Sequence, residues 1–142
     1  MKVVIIGLGL IGGSMALDIK SKYDDVTVFG MDANEKHLEE ALQLQLIDQK
    51  ASEEDIATAN LIIVAVPVDV GLVLLPQILE VIGDDTLVFD VGSTKLPICE
   101  LVANHPKRRN FMATHPIAGT EFSGPNAAIK GLFEGKTNII CE

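Results

Sequence analysis

At 142 residues the chain is the size of one domain, long enough to bury roughly 70% of its unfolded surface without disulfides or metal. Its net charge of −9, from 20 acidic against 11 basic residues, argues against nucleic acid, whose binding depends on neutralising phosphates with Lys and Arg. The 48% hydrophobic residues fall in short runs, so no membrane span is expected, and two isolated cysteines, Cys99 and Cys141, favour a reducing cytoplasm.

Val3-Val4-Ile5-Ile6 reads as a buried strand, with no secretory leader expected before it. Gly7-Leu8-Gly9-Leu10-Ile11-Gly12 follows at once. In that spacing the first glycine permits a tight strand-to-helix turn, the second lets backbone approach a pyrophosphate, and the third lets the helix pack on its strand. The start of the helix adds unpaired N–H groups and a positive dipole end. Ser14–Lys22 reads as that helix, with Met15, Ala16 and Ile19 as its apolar stripe. A second apolar run, Val26-Thr27-Val28-Phe29-Gly30-Met31, ends in Asp32, where a carboxylate can accept hydrogen bonds from a ribose 2′-hydroxyl. The alternative is a glycine turn with no ligand.

Asn34 can cap a helix carrying Leu38, Ala41, Leu42 and Leu46, with Gln45 interrupting the stripe. Ser52-Glu53-Glu54-Asp55 has the capping-box pattern and should open a short helix. Leu61 to Val66 is apolar without alternation, as in a strand covered on both faces. Val68 to Ile82 reads as helix that Pro76 must break or restart. Thr86–Asp90 is the next strand, and Pro97 fits the first turn of a helix over Ile98–Asn104. Lys107-Arg108-Arg109 reads as a solvated turn before the strand Phe111–Thr114. A helix over Asn126–Phe133 and a strand over Thr137–Cys141 complete the chain. This alternation predicts a Rossmann-type α/β fold, a doubly wound, mostly parallel sheet whose ligand crevice lies at the strands' carboxyl ends.

Several loops should emerge on that edge: the glycine turn, Pro67, Gly92-Ser93-Thr94-Lys95 and His115-Pro116-Ile117-Ala118-Gly119-Thr120-Glu121. His115 is the acid–base candidate, because imidazole titrates near neutrality; the other reading is a structural histidine bonded to a loop carbonyl. Ser93 can donate to a substrate oxygen or cap the following helix. Lys95 can lie at the surface or neutralise an anion, and Glu121 can gate the site or sit in solvent. His37 and His105 are expected at the surface, and no metal is expected, since the histidines and cysteines lack paired-ligand spacing.

Asp90-Val91-Gly92-Ser93-Thr94-Lys95 followed by His115-Pro116-Ile117-Ala118-Gly119-Thr120-Glu121 resembles the prephenate/arogenate dehydrogenase family of tyrosine biosynthesis. Gly7 to Ser14 and Val64-Ala65-Val66-Pro67 extend the resemblance over essentially the whole chain. It implies oxidation of prephenate by NAD with loss of the ring carboxylate, giving 4-hydroxyphenylpyruvate, or of arogenate to tyrosine. His115 would then draw off the proton of the ring 4-hydroxyl, with Ser93 holding that hydroxyl and helping to orient the imidazole. Thr120 and Glu121 would border the substrate, Glu121 at the pocket mouth. Gly7, Leu8, Gly9, Leu10, Ile11, Gly12, Asp32, Val66 and Pro67 would hold the cofactor. Asp32 favours NAD over NADP by repelling a 2′-phosphate, while Lys36 leaves NADP open. Family members continue into an all-helical domain that forms most of a homodimer interface and closes the substrate pocket. Residues 1–142 are therefore expected to be the NAD-binding half, turning over poorly alone. The competing readings are an arogenate dehydrogenase, another small-substrate dehydrogenase of this fold, and a non-catalytic NAD-binding module resting on Gly7, Gly9, Gly12 and Asp32.

Overall fold

Val3, Val4, Ile5 and Ile6 are all buried, because the strand they form has helices on both of its faces. The computed structural model describes residues 1–141; Glu142, the last residue of the expected domain, lies outside them. The strands are β1 (Lys2–Ile6), β2 (Thr27–Met31), β3 (Gln49–Lys50), β4 (Leu61–Val64), β5 (Leu87–Asp90), β6 (Phe111–Pro116) and β7 (Asn138–Cys141). Between them run α1 (Leu10–Lys22), α2 (Glu35–Gln43), α3 (Glu53–Ala57), α4 (Val68–Val81) and α5 (Leu96–Val102). The sheet order is β3-β2-β1-β4-β5-β6-β7, and every pair is parallel except β6 with β7. That is the Rossmann order with one antiparallel edge strand added, as the alternation of elements predicts.

Alternation along β1 divides the core. Val3 and Ile5 pack with Ala16 of α1 and with Leu38 and Ala41 of α2. Val4 and Ile6 pack with Leu75 and Leu79 of α4 and Val102 of α5. At about 25 cal/mol per Å² of buried apolar surface, these two layers are the main force closing the sheet.

Several local expectations hold and others need correction. Asn34 caps α2 by accepting from the Lys36 N–H at 3.1 Å. Ser52 and Asp55 form the reciprocal capping box of α3, and Pro97 lies in the first turn of α5. α1 starts at Leu10 rather than Ser14, since the glycines let the helix begin directly at the turn. α2 stops at Gln43, and Leu46 reaches the core through a Schellman closure. There Gln45 takes a φ of 57°, with Leu46 N–H bonded to Ala41 O and Gln45 N–H to Leu42 O.

α4 runs unbroken through Pro76. The proline forfeits the bond to the Leu72 carbonyl, but burial of Leu75, Ile78 and Leu79 around it holds the helix together. No helix forms over Asn126–Phe133; a single 3₁₀ turn at Pro125–Ala127 leads into turns containing Gly131 and Gly135 at positive φ. Nor is the basic cluster simply solvated. Lys107 Nζ bonds to the Ile82 carbonyl at the C-terminal end of α4, and Arg108 donates to the Phe111 carbonyl at 2.7 Å. His105, also expected at the surface, is half-buried against Glu80 at 3.2 Å.

Candidate functional site

From β1 the chain winds through β2 to β3 on one side, while β4 to β6 lie on the other. Over the carboxyl ends of β1, β2 and β4, at this switch point, opens a cleft of about 760 Å³ whose walls include Gly7, Gly9, Asp32, Val66 and Pro67. These five expected cofactor residues are thereby brought together.

The glycine turn is steric in origin. Gly7 has a φ of +95°, a Cβ on it would sit 2.3 Å from the Ala65 carbonyl oxygen, and its N–H bonds to Met31 O at 2.8 Å. A Cβ on Gly12 would sit 2.0 Å from the Gly7 carbonyl oxygen, so α1 can approach its own turn only without a side chain there. Gly9 is different, because a Cβ there would meet nothing within 4 Å. It faces open space at the start of α1, where the first-turn N–H groups have no intrahelical acceptor, no side chain caps them and no acid occupies the first turn. Such an opening fits an anionic group. Leu10, Ile11 and Gly12 contribute backbone to that helix start. Leu8 differs again: its side chain is in the core and its N–H donates to Asp32 Oδ2 at 2.8 Å.

Asp32 is held at both oxygens, with Oδ1 accepting from Asn34 N–H at 2.9 Å. His37 Nδ1 lies 3.4 Å from the same Oδ1, so this histidine lines the cleft rather than the outer surface expected for it. The signal was available: His37 is the third residue of a helix whose cap follows Asp32 by two. Lys36 beside it is exposed and does not line the cleft.

Residues 117–137 form a strap that leaves β6, crosses to α2 and α1, and returns as β7. Asn126 Nδ2 donates to Glu40 Oε2 at 3.0 Å, Ile129 N–H to the buried Ser14 Oγ at 2.9 Å, and Gly131 N–H to Asp18 Oδ1 at 2.6 Å. Ser123 and Gly124 of the strap become walls of the cleft, which the reading of the sequence missed.

His115 belongs to β6 itself, opposite Ile139, and not to the loop beyond the strand where it was expected. The antiparallel partner β7 extends pairing past Thr114 and takes His115 into the sheet. Its buried Nδ1 has no hydrogen-bond partner among the described residues. The imidazole shares a second hollow with Gly119, Thr120, Leu132 and Lys136, the last a cation not anticipated there. Ser93 is exposed after β5 and makes no hydrogen bond to His115 among the described residues. It does not cap α5 either, whose N-cap is Lys95. Glu121 is exposed and lines a separate hollow with Phe122 and Ser123.

Lys95 points inward. Its Nζ bonds to the Asp90 carboxylate and, at 2.7 Å, to the Thr114 carbonyl, with the two side chains only 12% and 6% exposed. Asp90 also accepts from Gly92 N–H at 3.0 Å and Thr114 N–H at 3.3 Å. The pair thus ties the exit loop of β5 to the residue preceding His115.

The chain matches the family model for the prephenate dehydrogenase nucleotide-binding domain over residues 15–142. A prephenate dehydrogenase of Lactococcus lactis is 40% identical over 147 residues, covering 99% of this chain and 41% of that relative. The structure resembles that of A. aeolicus prephenate dehydrogenase in complex with hydroxyphenyl propionate and NAD+, with a TM-score of 0.88 and 29% identity over 100% of this chain and 50% of that one. It also resembles Synechocystis arogenate dehydrogenase, with a TM-score of 0.83 and 28% identity over 99% of this chain and 49% of that one. The chain spans half or less of the length of these proteins.

Proposed function

The chain belongs to the prephenate dehydrogenase family, and on that premise we propose that residues 1–142 are the cofactor-holding domain of an NAD-dependent prephenate dehydrogenase. The observation that carries this reading is the cleft, with open space at Gly9 beside the start of α1 and Asp32 fixed in its wall by the bond from Leu8. Such an arrangement suits a pyrophosphate at the helix start and a ribose diol at the carboxylate. Bound NAD supplies the hydride acceptor.

The chain's own residues act around it. Gly7, Gly9 and the backbone of Leu10 to Gly12 seat the pyrophosphate, and Val66 and Pro67 wall the cleft opposite. Leu8 acts through Asp32, whose negative charge disfavours a 2′-phosphate and so NADP. His115, which lines the second hollow beside Thr120, takes the proton of the ring 4-hydroxyl. Ser93 reaches the same hydroxyl from the neighbouring exit loop, and Thr120 and Glu121 border the substrate. Loss of the ring carboxylate then aromatises the product. The complete enzyme is a cytoplasmic homodimer whose helical domain closes the pocket. Likeness to an arogenate dehydrogenase favours arogenate as the second reading.

Calorimetric titration of this chain with NAD tests the first half, with micromolar affinity expected, about −8 kcal/mol. Absence of binding by folded protein overturns it. For the second half, His115→Asn in a protein extended to the length of its relatives should lower turnover of prephenate by about 10²–10⁴ while leaving NAD affinity unchanged. Unaltered turnover would remove His115 from the chemistry.

A further inference from the structure

We propose that His37 is a second cofactor-discriminating residue: protonated, it offsets the charge by which Asp32 turns away a 2′-phosphate, so the balance between NAD and NADP shifts with pH. This rests on the dinucleotide reading of the cleft.

The geometry leaves few other charges to consider. Asp32 and His37 are the only titratable side chains lining the cleft among the described residues. Asp32 cannot swing away without breaking the bonds from Leu8 and Asn34, and it is 13% exposed. The His37 side chain, 35% exposed, sits with Nδ1 3.4 Å from Asp32 Oδ1, and its Nε2 is 3.9 Å from where a Cβ on Gly124 would lie. It therefore stands between the carboxylate and the strap.

The charged neighbours are engaged elsewhere. On α2 itself Glu35 pairs with Lys50, Lys36 is exposed off the cleft, and Glu40 accepts from Asn126 of the strap. The strap presents only uncharged Ser123 and Gly124 here, with Glu121 in a different hollow. The glycine turn and the Val66-Pro67 turn bring no charge.

With a neutral imidazole this rim carries the single negative charge of Asp32, which repels a 2′-phosphate but accepts ribose hydroxyls. With an imidazolium the two charges cancel, and a ring N–H becomes available to a phosphate oxygen. NAD, with no phosphate at that position, responds less than NADP.

The test is the ratio of Kd for NADP to Kd for NAD, measured calorimetrically from about pH 8.5 to about pH 5.5, the range over which imidazole changes charge. In the wild type the ratio should fall by about tenfold. In His37→Gln it should fall less than in the wild type, and in His37→Lys, where the charge does not titrate in this range, it should already be low at about pH 8.5. The 2′-phosphate itself gains a proton near pH 6, so an equal fall in wild type and His37→Gln would belong to the ligand and overturn the proposal. A constant wild-type ratio would also overturn it, with the dinucleotide site intact. Failure of NAD to bind at any pH would instead bring down the reading of the cleft, and His37 with it.

Discussion

The Leu8 N–H donates to Asp32 Oδ2 at 2.8 Å, joining the glycine turn after β1 to the carboxylate after β2. Asp32 is thus both a prospective ribose acceptor and a structural acceptor for two backbone donors, Leu8 and Asn34. Two substitutions separate these roles. Asp32→Ala leaves both N–H groups without their acceptor and should cost about 1–3 kcal/mol in urea unfolding. Asp32→Asn keeps one acceptor oxygen and should cost less than about 1 kcal/mol, while both variants weaken NAD binding. An Asp32→Ala protein as stable as the wild type would show that the carboxylate is not a structural acceptor.

Gly9 and Gly12 lie three residues apart and should fail differently. A methyl at Gly12 meets the Gly7 carbonyl oxygen at 2.0 Å, a backbone atom with no freedom to yield. Gly12→Ala should therefore destabilise the fold by about 1–3 kcal/mol or more. Gly9→Ala meets nothing within 4 Å and has an ordinary φ of −76°, so its melting temperature should stay near that of the wild type. NAD affinity should nevertheless fall, because the methyl occupies the approach of the pyrophosphate. A Gly9→Ala protein that melts early, or that binds NAD normally, contradicts this division.

Asp90 and Lys95 form the most buried ion pair among the described residues. Lys95→Met leaves a carboxylate that is 6% exposed with only backbone partners, Gly92 N–H and Thr114 N–H. A loss of about 3–5 kcal/mol is expected, as for other buried pairs deprived of one member. The double variant Asp90→Asn with Lys95→Met should be less destabilised than the two single losses summed, since it leaves no unpaired charge. Strict additivity in a denaturation cycle would mean that the pair is not coupled.

Legibility followed the range over which a signal acts. The glycine spacing, the Asn34 cap, the Ser52–Asp55 box and Pro97 all act within one turn of chain, and each appears as the sequence suggests. The strap did not, because its anchors pair Ile129 with Ser14, Gly131 with Asp18 and Asn126 with Glu40, separations of 115, 113 and 86 residues. No local periodicity encodes such bonds, and the apolar residues between Ala127 and Phe133 mimic a helix while Gly131 turns the chain at positive φ. Pro76 shows the opposite error, a strong local rule overridden by burial on both sides of the residue. The place of His115 in the fold is not legible locally, since only the register with β7 reveals that the strand runs on to Pro116.

Asp55 links the first strand to α3 and gives the fold a pH signature. Hydrogen bonds from the Ser52 hydroxyl, then from Lys2 Nζ at 2.9 Å, then from the Ser52 N–H hold its carboxyl at about 2, below its ordinary 3.8. A carboxyl with a lower value in the folded state stabilises the fold above its unfolded value and loses that contribution as pH falls through the folded one. Wild type should therefore lose stability between about pH 4 and pH 2 through this group, on top of whatever other carboxylates contribute. Asp55→Asn keeps an acceptor oxygen for Ser52 but lacks the titrating group and the charge paired with Lys2, so at pH 7 it should be less stable by up to about 1 kcal/mol. The gap between the two proteins, read from urea midpoints at successive pH values, should narrow as the solution is acidified through this window. A gap that stays constant to about pH 2 would mean that the contacts of Asp55 do not depend on its charge.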